Sequence, residues 1–515
     1  MRVALTVADF LNRAALVHGQ RTAAVDEPGV PGSLGAVTYT ELEARARGMA
    51  MVLDDLDVGH GERVAIVSPN SARFLTSYFG VSAFGRVLVP INFRLTADEI
   101  SFVVEHSGAS VLLYDPDLAG EVADIKVGHK FALDGTDDAN LFAPAADGAQ
   151  PEVWAADEDA TCSVNYTSGT TARPKGVQLT HRNCWLNAAT FGWHTGVNDR
   201  DVLLHTLPMF HCNGWGMPYA VTGMGGRHIV LRKVDGEEIL SRIEKHGVTL
   251  LCGAPAVVAA ILDAAAIRRE EGREVPGRDT VRMVVAGAPP PSKTIERVRT
   301  ELGWEFIQIY GLTETAPLLT INRLILEWDA DGVSEQARRL SRAGAPAIGV
   351  QIAVDDEGEV LVRSNHVFDG YWEQPEETAT ALDGGWFHTG DGGYLDGAFL
   401  VIADRKKDVI ITGGENVSSI EVEDCLYQHA EVAEAAVIGV PDEKWGETIK
   451  ALVVLRPGAT ATEDDLIAHC RDRLAHFKAP TSVEVRPALD RTATGKLQKY
   501  KLRQPYWAGR DKTVN

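Results

Sequence analysis

Residues 166–177 read Tyr-Thr-Ser-Gly-Thr-Thr-Ala-Arg-Pro-Lys-Gly-Val, and the rest of the chain is organised around them. Four hydroxyl residues, Thr167, Ser168, Thr170 and Thr171, surround Gly169, and Lys175 follows. Glycine lets the backbone turn tightly and come close to a ligand. Hydroxyls and free backbone N–H groups make a concave nest for an anion. A nearby lysine adds a positive charge that reaches phosphate oxygens. A polar surface loop has a similar composition, but Pro174 and the flanking apolar residues make this one sequence-specific. It is not a Walker A loop, which needs Gly-x-x-x-x-Gly-Lys-Ser/Thr. No glycine directly precedes Lys175, and no serine or threonine follows it. The stretch therefore reads as a phosphate loop outside the P-loop class.

At 515 residues the chain exceeds one compact core, so two or more domains are expected. Composition is that of an ordinary globular protein, 45% hydrophobic and 24% charged. The formal net charge of −22, with no face dense in Lys and Arg, argues against nucleic acid as a partner. The same acidity opposes attraction to anionic membranes. No run reaches ~18 apolar residues, so no integral membrane contact is predicted. Residues 6–19 place Val7, Phe10, Leu11 and Ala14 on one helical face behind Thr6 and Asp9, and carry no export-signal pattern. The six cysteines, Cys162, Cys184, Cys212, Cys252, Cys425 and Cys470, are scattered and read as buried free thiols. A reducing cytoplasm fits them.

Along the chain, strands at 63–67, 87–90 and 110–114 alternate with helical patterns such as 72–84. The alternation resumes after the loop, with strands at 202–206, 227–231, 249–252 and 281–286 and helices at 237–245 and 255–266. This order predicts a layered α/β fold with a largely parallel sheet. From Gly349 the texture turns β-rich, opening with a hairpin of 351–354 and 359–363 around Asp355-Asp356-Glu357-Gly358. Beyond Asp404 a small α+β pattern follows: helices starting at Ser418 with Glu421 and at Thr462 with Asp465, and strands at 435–440 and 451–455. The charged stretch 404–408 between two apolar strands is the best domain boundary.

Four further stretches carry chemistry. Residues 284–291, Val-Val-Ala-Gly-Ala-Pro-Pro-Pro, end an apolar strand in the small residues Gly287, Ala288 and Pro289. Crevices at strand C-termini are the usual ligand sites of such sheets. Residues 308–315, Gln-Ile-Tyr-Gly-Leu-Thr-Glu-Thr, offer the Tyr310 ring to a purine and Gly311 for close backbone approach. There Thr313 can donate to a phosphate oxygen and Glu314 can hold Mg²⁺, a hard cation that wants oxygen ligands. In Trp-Phe-His-Thr-Gly-Asp, 386–391, Asp391 can accept from vicinal ribose hydroxyls. Thr494-Gly495 places Lys496 on a turn, where an ammonium could stabilise charge developing at a phosphate. Each of these has an ordinary structural reading when taken alone.

Together they resemble the adenylate-forming superfamily, in its branch of acyl-CoA synthetases and fatty-acid–CoA ligases. Five motifs occur in family order from about Thr6 to Tyr506, with Ala172 standing where the family usually has glycine. The resemblance implies that Thr167 helps Glu314 hold the metal, that 287–289 cover adenine, and that Arg405 joins Asp391 at the ribose. It implies that Lys496 is the catalytic lysine and Lys407 the hinge. Residues 207–219 resemble the acyl-pocket segment, with His211 as its histidine and Trp215 as the tryptophan gating the acid in some members. No acid occurs between His205 and Tyr219, so a substrate ammonium would lack a partner and a neutral-tailed acid is preferred.

The expectation is an α/β enzyme. Its large N-terminal domain, 1–404, has layered, mostly parallel sheets with helices plus a β-rich subdomain. A small, mobile α+β C-terminal domain, 405–515, carries Lys496. The implied reaction is ATP-dependent activation of a hydrophobic carboxylic acid, medium- to long-chain or a bulky natural-product acid, to acyl-AMP and then acyl-CoA, with Mg²⁺ and coenzyme A. Loading of a carrier-protein thiol is the alternative, and a degenerate nucleotide-binding protein the remote one. Residues alone leave the acid and the oligomeric state, a dimer included, open.

Overall fold

Apolar strands that alternate with amphipathic helices stack here into two large sheets. The computed structural model describes residues 1–167, 174–287, 290–405, 409–412, 415–442, 445–491 and 497–508. Among these, one sheet has nine strands and runs, edge to edge, from Ala345–Pro346 through Leu318–Asn322, Glu305–Gly311, Arg282–Val285, Leu250–Gly253, Val202–Leu204, Arg227–Ile229 and Thr22–Val25 to Ala36–Thr38. Its six central strands are parallel, and antiparallel strands close both edges. The second has seven strands: Gly370–Tyr371, Lys175–Thr180, Thr161–Thr167, Val87–Ile91, Arg63–Val67, Ala109–Tyr114 and His129–Ala132.

Periodicity explains the elements. The strand Arg63–Val67 lies where the pattern predicts it, buried between parallel neighbours. The helix predicted over 72–84 is Ala72–Gly80, capped by Ser71, followed by a 3₁₀ turn that Gly85 ends in a left-handed conformation, φ 81°. Leu11 and Ala14 of the helix Ala8–His18, and Val7 just before it, are buried as predicted, whereas Phe10 is half-buried. The largest apolar cluster fills the space between the two sheets.

The β-rich stretch is a four-stranded antiparallel sheet, Val350–Val354, Glu359–Ser364, Phe387–Asp396 and Phe399–Arg405. Its first hairpin turns at Asp355 and Gly358 as predicted, with Gly358 at φ 83°. A smaller α+β unit follows. Its strands Val432–Asp442 and Gly446–Leu455 pair antiparallel, and Ser482–Val485 joins parallel. Alternation gives this sheet two covered faces: Ala435, Val437, Ala451 and Val453 pack with Val422, Leu426 and Leu466, whereas Ala436, Ile438 and Leu452 pack with Leu502. A hydrogen bond from Ser292 N to Asp424 Oδ1, 3.0 Å, ties it to the larger unit.

One predicted cap differs. Ser418 precedes the helix Ser419–Tyr427 without a side-chain cap bond, and the Glu421 carboxylate instead accepts from the Lys478 ammonium at 2.7 Å. The Thr462–Asp465 box forms as predicted. All six cysteines are buried free thiols. Among the described residues no helix is long and apolar enough to cross a membrane.

Beneath the nine-stranded sheet His205 Nε2 meets His228 Nδ1 at 3.0 Å, and His228 Nε2 meets Thr222 Oγ1 at 3.0 Å. Burial pushes His205 down to about 3 and His228 well below the usual imidazole range. The unfolded chain would protonate both near pH 6.5 while the folded one resists, so the unfolded state gains protons first and stability falls with falling pH. The stabilisation is complete above about pH 6.5 and is lost progressively towards pH 3, at roughly 1 kcal/mol per pH unit for each histidine. Urea unfolding at pH 7 and pH 5 should show this loss, and His205→Gln should flatten the slope. A wild-type slope no steeper than that of the variant would exclude it.

Candidate active site

Among the described residues, several of those singled out in sequence meet near the ends of strands: Tyr310 with Asp391, Glu314 and Lys175 through Tyr371, and Thr313 with Cys212. The strands on either side of the hydroxyl-rich stretch are paired with each other. Strand Thr161–Thr167 pairs antiparallel with Lys175–Thr180, and the last registered pair is Thr167 with Lys175. Ser168, Gly169, Thr170 and Thr171 lie outside the described residues, as do Ala288, Pro289, Lys407 and Lys496. The stems are fixed: both Thr167 and Lys175 are half-buried.

On the nine-stranded sheet, parallel strands Arg282–Val285 and Glu305–Gly311 register Val285 with Gln308. Gly287 and Tyr310 therefore leave the same edge two residues on. Gly287 is exposed at φ 95°, with open space where a Cβ would be. The Tyr310 hydroxyl donates to Asp391 Oδ2 at 2.8 Å. Tyr310 and Asp391, read separately in sequence as platform and ribose acceptor, are thus one hydrogen-bonded pair. Asp391 is 7% exposed and its backbone registers opposite Arg405. The preceding Gly390, at φ 70°, donates its N–H to Glu359 Oε1 at 2.8 Å, which fixes the turn that presents the aspartate.

After Gly311 the chain forms a 3₁₀ turn, Thr313–Thr315, and returns as Leu318–Asn322. Glu314 is held on its backbone by Phe368 N–H, 2.8 Å from its carbonyl, and on its carboxylate by the Tyr371 hydroxyl, 3.0 Å from Oε1. Tyr371 stands on the short strand paired with Lys175–Thr180, and the Lys175 ammonium lies 4.7 Å from its ring centre. Burial, and then the Glu314 charge, raise the Tyr371 phenol, so it stays a protonated donor. Tyr371 brings Lys175 and Glu314 to one side chain, and the sequence reading missed it. Its only signal was the aromatic-rich Phe-Asp-Gly-Tyr-Trp of 368–372.

The segment with His211 and Trp215 docks against this turn. Cys212 Sγ faces the Thr313 carbonyl at 3.9 Å. Five successive residues, Cys212, Asn213, Gly214, Trp215 and Gly216, have φ between 45° and 76°. Asn213 Nδ2 donates to Ser163 Oγ at 2.7 Å, and Asn187 Nδ2 donates to the Trp215 carbonyl at 3.2 Å. Trp215 is 4% exposed, and Met209, Phe210, Met217 and Tyr219, near it in sequence, are buried. His211 is half-buried and opens this turn. Asn70 gives its amide to the carbonyls of His205, Leu207 and Leu231 and accepts from Met209 N–H.

Sequence comparison matches the AMP-binding enzyme family over residues 11–372 and the AMP-binding enzyme C-terminal domain over 421–496. The 2-methylpropanoate–CoA ligase CCL4 of Humulus lupulus is 36% identical, the match covering 97% of this chain and 94% of the relative. The peroxisomal acetate/butyrate–CoA ligase AAE7 of Arabidopsis thaliana is likewise 36% identical over 97% of this chain and 94% of its own length. Among solved structures, the anthranilate CoA ligase AuaEII in complex with anthranoyl-AMP superposes with a TM-score of 0.86 at 26% identity, covering 98% of both chains.

The close packing of the turn after Tyr310 is directly testable. A Cβ on Gly311 would fall 1.6 Å from the Pro317 carbonyl oxygen, whereas one on Gly287 meets nothing within 4 Å. Gly311→Ala should lose several kcal/mol or fail to accumulate folded, while Gly287→Ala should lose only about 1 kcal/mol of backbone strain. Thermal unfolding of the two variants checks this; equal melting temperatures would contradict it.

Proposed function

This chain belongs to the AMP-binding enzyme family as an AMP-forming acid–thiol ligase, and we propose that its substrates are a short aliphatic carboxylic acid, ATP and coenzyme A. The observation that carries the choice of acid is the burial of Trp215, only 4% exposed. A slot capped by a buried indole has room for few methylene groups. The absence of any acidic side chain between His205 and Tyr219 favours a neutral tail. The relatives named for 2-methylpropanoate and for acetate and butyrate support the same end of the range. The medium- to long-chain or bulky acid expected from sequence becomes the second reading; it requires Trp215 to swing aside as a door.

In the first half-reaction the acid's carboxylate oxygen attacks the α-phosphorus of ATP. An O–P bond forms, the bond to the bridging oxygen breaks, and pyrophosphate leaves. Residues 168–171 and Lys175 cradle the phosphates, and Thr313 donates to a phosphate oxygen. Tyr310 and residues 287–289 flank adenine, while Asp391 and Arg405 take the ribose hydroxyls. His211 closes the acid's end of the site. Glu314 and Thr167 present the hard oxygen donors that Mg²⁺ requires, and would hold it there. Bound, the cation would offset the charge of the triphosphate. Lys496 places an ammonium against the charge developing at the α-phosphate. In the second half-reaction the thiol sulfur of coenzyme A attacks the acyl carbon; a C–S bond forms, the acyl C–O bond to the phosphate breaks, AMP leaves and the thiol proton passes to water. A unit of residues 405–515 swings about Lys407 between the two steps, exchanging Lys496 for the face at 407–414. The CoA-ligase relatives favour coenzyme A over a carrier-protein thiol as acceptor.

Two measurements test this reading. Lys496→Ala should slow acid-dependent ATP–pyrophosphate exchange by ~100-fold or more, the scale of comparable electrostatic losses. Thioester formation from preformed acyl-AMP should be far less affected; equal losses in both would refute the assigned role. Separately, an acid series from acetate upward should peak among short chains, and Trp215→Ala should move the optimum to longer or wider acids with the KM for ATP nearly unchanged. Each extra buried CH₂ is worth roughly 0.8 kcal/mol, so the shift should span orders of magnitude across the series. A wild-type optimum at long chains, or identical profiles in both proteins, would reject the short-acid pocket while leaving adenylation intact.

A further inference from the structure

We propose that Tyr371 is a positioning residue for adenylation: its hydroxyl aims the Glu314 carboxylate at the metal–nucleotide, and its ring parks the Lys175 ammonium beside the phosphate loop. The proposal rests on the reading of Glu314 and Lys175 given above. Its basis is geometric. The hydroxyl donates to Glu314 Oε1 at 3.0 Å, and the Lys175 Nζ sits 4.7 Å from the ring centre. One rigid side chain thus touches the anion and the cation that the site would use.

Tyr371 can do this because its backbone has no freedom. Tyr371 registers with Val177, Trp372 N–H donates to the Gly176 carbonyl at 2.7 Å, and Asp369 N–H donates to the Gln178 carbonyl at 3.1 Å. Its own N–H is taken by Thr378 Oγ1 at 2.9 Å. The Phe368 ring packs edge-on against it at 4.7 Å, and Phe368 N–H holds the Glu314 carbonyl. Glu314 is therefore held at its backbone carbonyl and at its carboxylate by neighbouring residues of one short stretch.

A carboxylate with one oxygen in a fixed hydrogen bond has its other oxygen oriented and its rotation stopped. Partners of this kind commonly contribute 10–100-fold to metal affinity. The ring's contribution is different in kind. Its face offers an ammonium a weak electrostatic seat that water or a phosphate can outcompete. Lys175 is then held near its working position without being neutralised.

The test uses the whole protein and calorimetric titration of ATP without acid, once with excess Mg²⁺ and once in EDTA. Wild type should bind ATP more tightly with Mg²⁺. Tyr371→Phe keeps the ring and removes the hydroxyl. It should erase about tenfold or more of the Mg²⁺-dependent gain, leaving the EDTA affinity and the melting temperature unchanged. In a Glu314→Gln background the same change should cost nothing further, because the group it positions is gone. Tyr371→Leu, which also removes the ring, should weaken binding in EDTA as well. An undiminished Mg²⁺-dependent gain in Tyr371→Phe overturns the proposal, and so does an equal loss with and without Mg²⁺ or an additive loss on Glu314→Gln. If wild type itself gains nothing from Mg²⁺, the assignment of Glu314 as metal ligand fails first, which separates that failure from one specific to Tyr371.

Discussion

The strand Lys175–Thr180 is hydrogen-bonded along both edges, and the site depends on that. On one side it pairs with Thr161–Thr167 down to the Thr167–Lys175 register; on the other it takes Gly370–Tyr371. Thr167 and Lys175, on either side of the hydroxyl-rich stretch, are therefore both held by the sheet. Gly176 shows how close the three strands come. A Cβ there would lie 2.9 Å from Val164 Cγ1 and 3.1 Å from both Trp372 Cβ and Tyr166 Cζ. The glycine after Lys175 serves this packing as much as any ligand, since no other residue lets Tyr166 and Trp372 meet across it.

A second constraint is the buried irregular segment 205–216. Backbone groups there cannot use a sheet ladder, and leaving one unpaired in the interior costs about 1–3 kcal/mol. Two asparagines supply the partners. Asn70 answers three carbonyls and one N–H around 205–209, and Asn187 bridges the Trp215 carbonyl and Leu318 N–H, 3.0 Å from its Oδ1. Through Asn187 the loop with Trp215 is coupled to the strand that follows the Glu314 turn.

Local patterns were legible and long-range pairings were not. Arg63–Val67 and the helix Gly236–His246 follow from runs and spacing that involve only neighbours in sequence. The Thr462 box forms because its two partners are three residues apart. Ser418 had the same spacing, yet Glu421 went to Lys478, 57 positions away, a competitor no local rule contains. Tyr371 and Glu314 are likewise separated by 57 positions, and Asn70 and His205 by 135. Short motifs such as Tyr-Gly-Leu-Thr-Glu could be read as chemistry because their residue types suffice for it. That Tyr310 donates to Asp391 needed the fold, since the pairing depends on how two separate sheets abut.

The left-handed turn at 212–216 is the place where local preference and structure disagree most. Cys212, Asn213 and Trp215 all sit at positive φ, a conformation costing on the order of 1 kcal/mol or more for each side-chain-bearing residue. A right-handed path would have extended the helix Met217–Met224 backwards and carried Trp215 around to another face. The strained path instead keeps Trp215 buried, sets Asn213 on Ser163, and leaves Cys212 against the Thr313 carbonyl. Gly216 closes the turn where a Cβ would meet Asn187 Nδ2 at 2.4 Å. Each surrounding contact offsets part of the strain, and none of them would exist on the relaxed path. The conformation is thus selected by its neighbours rather than by its own residues.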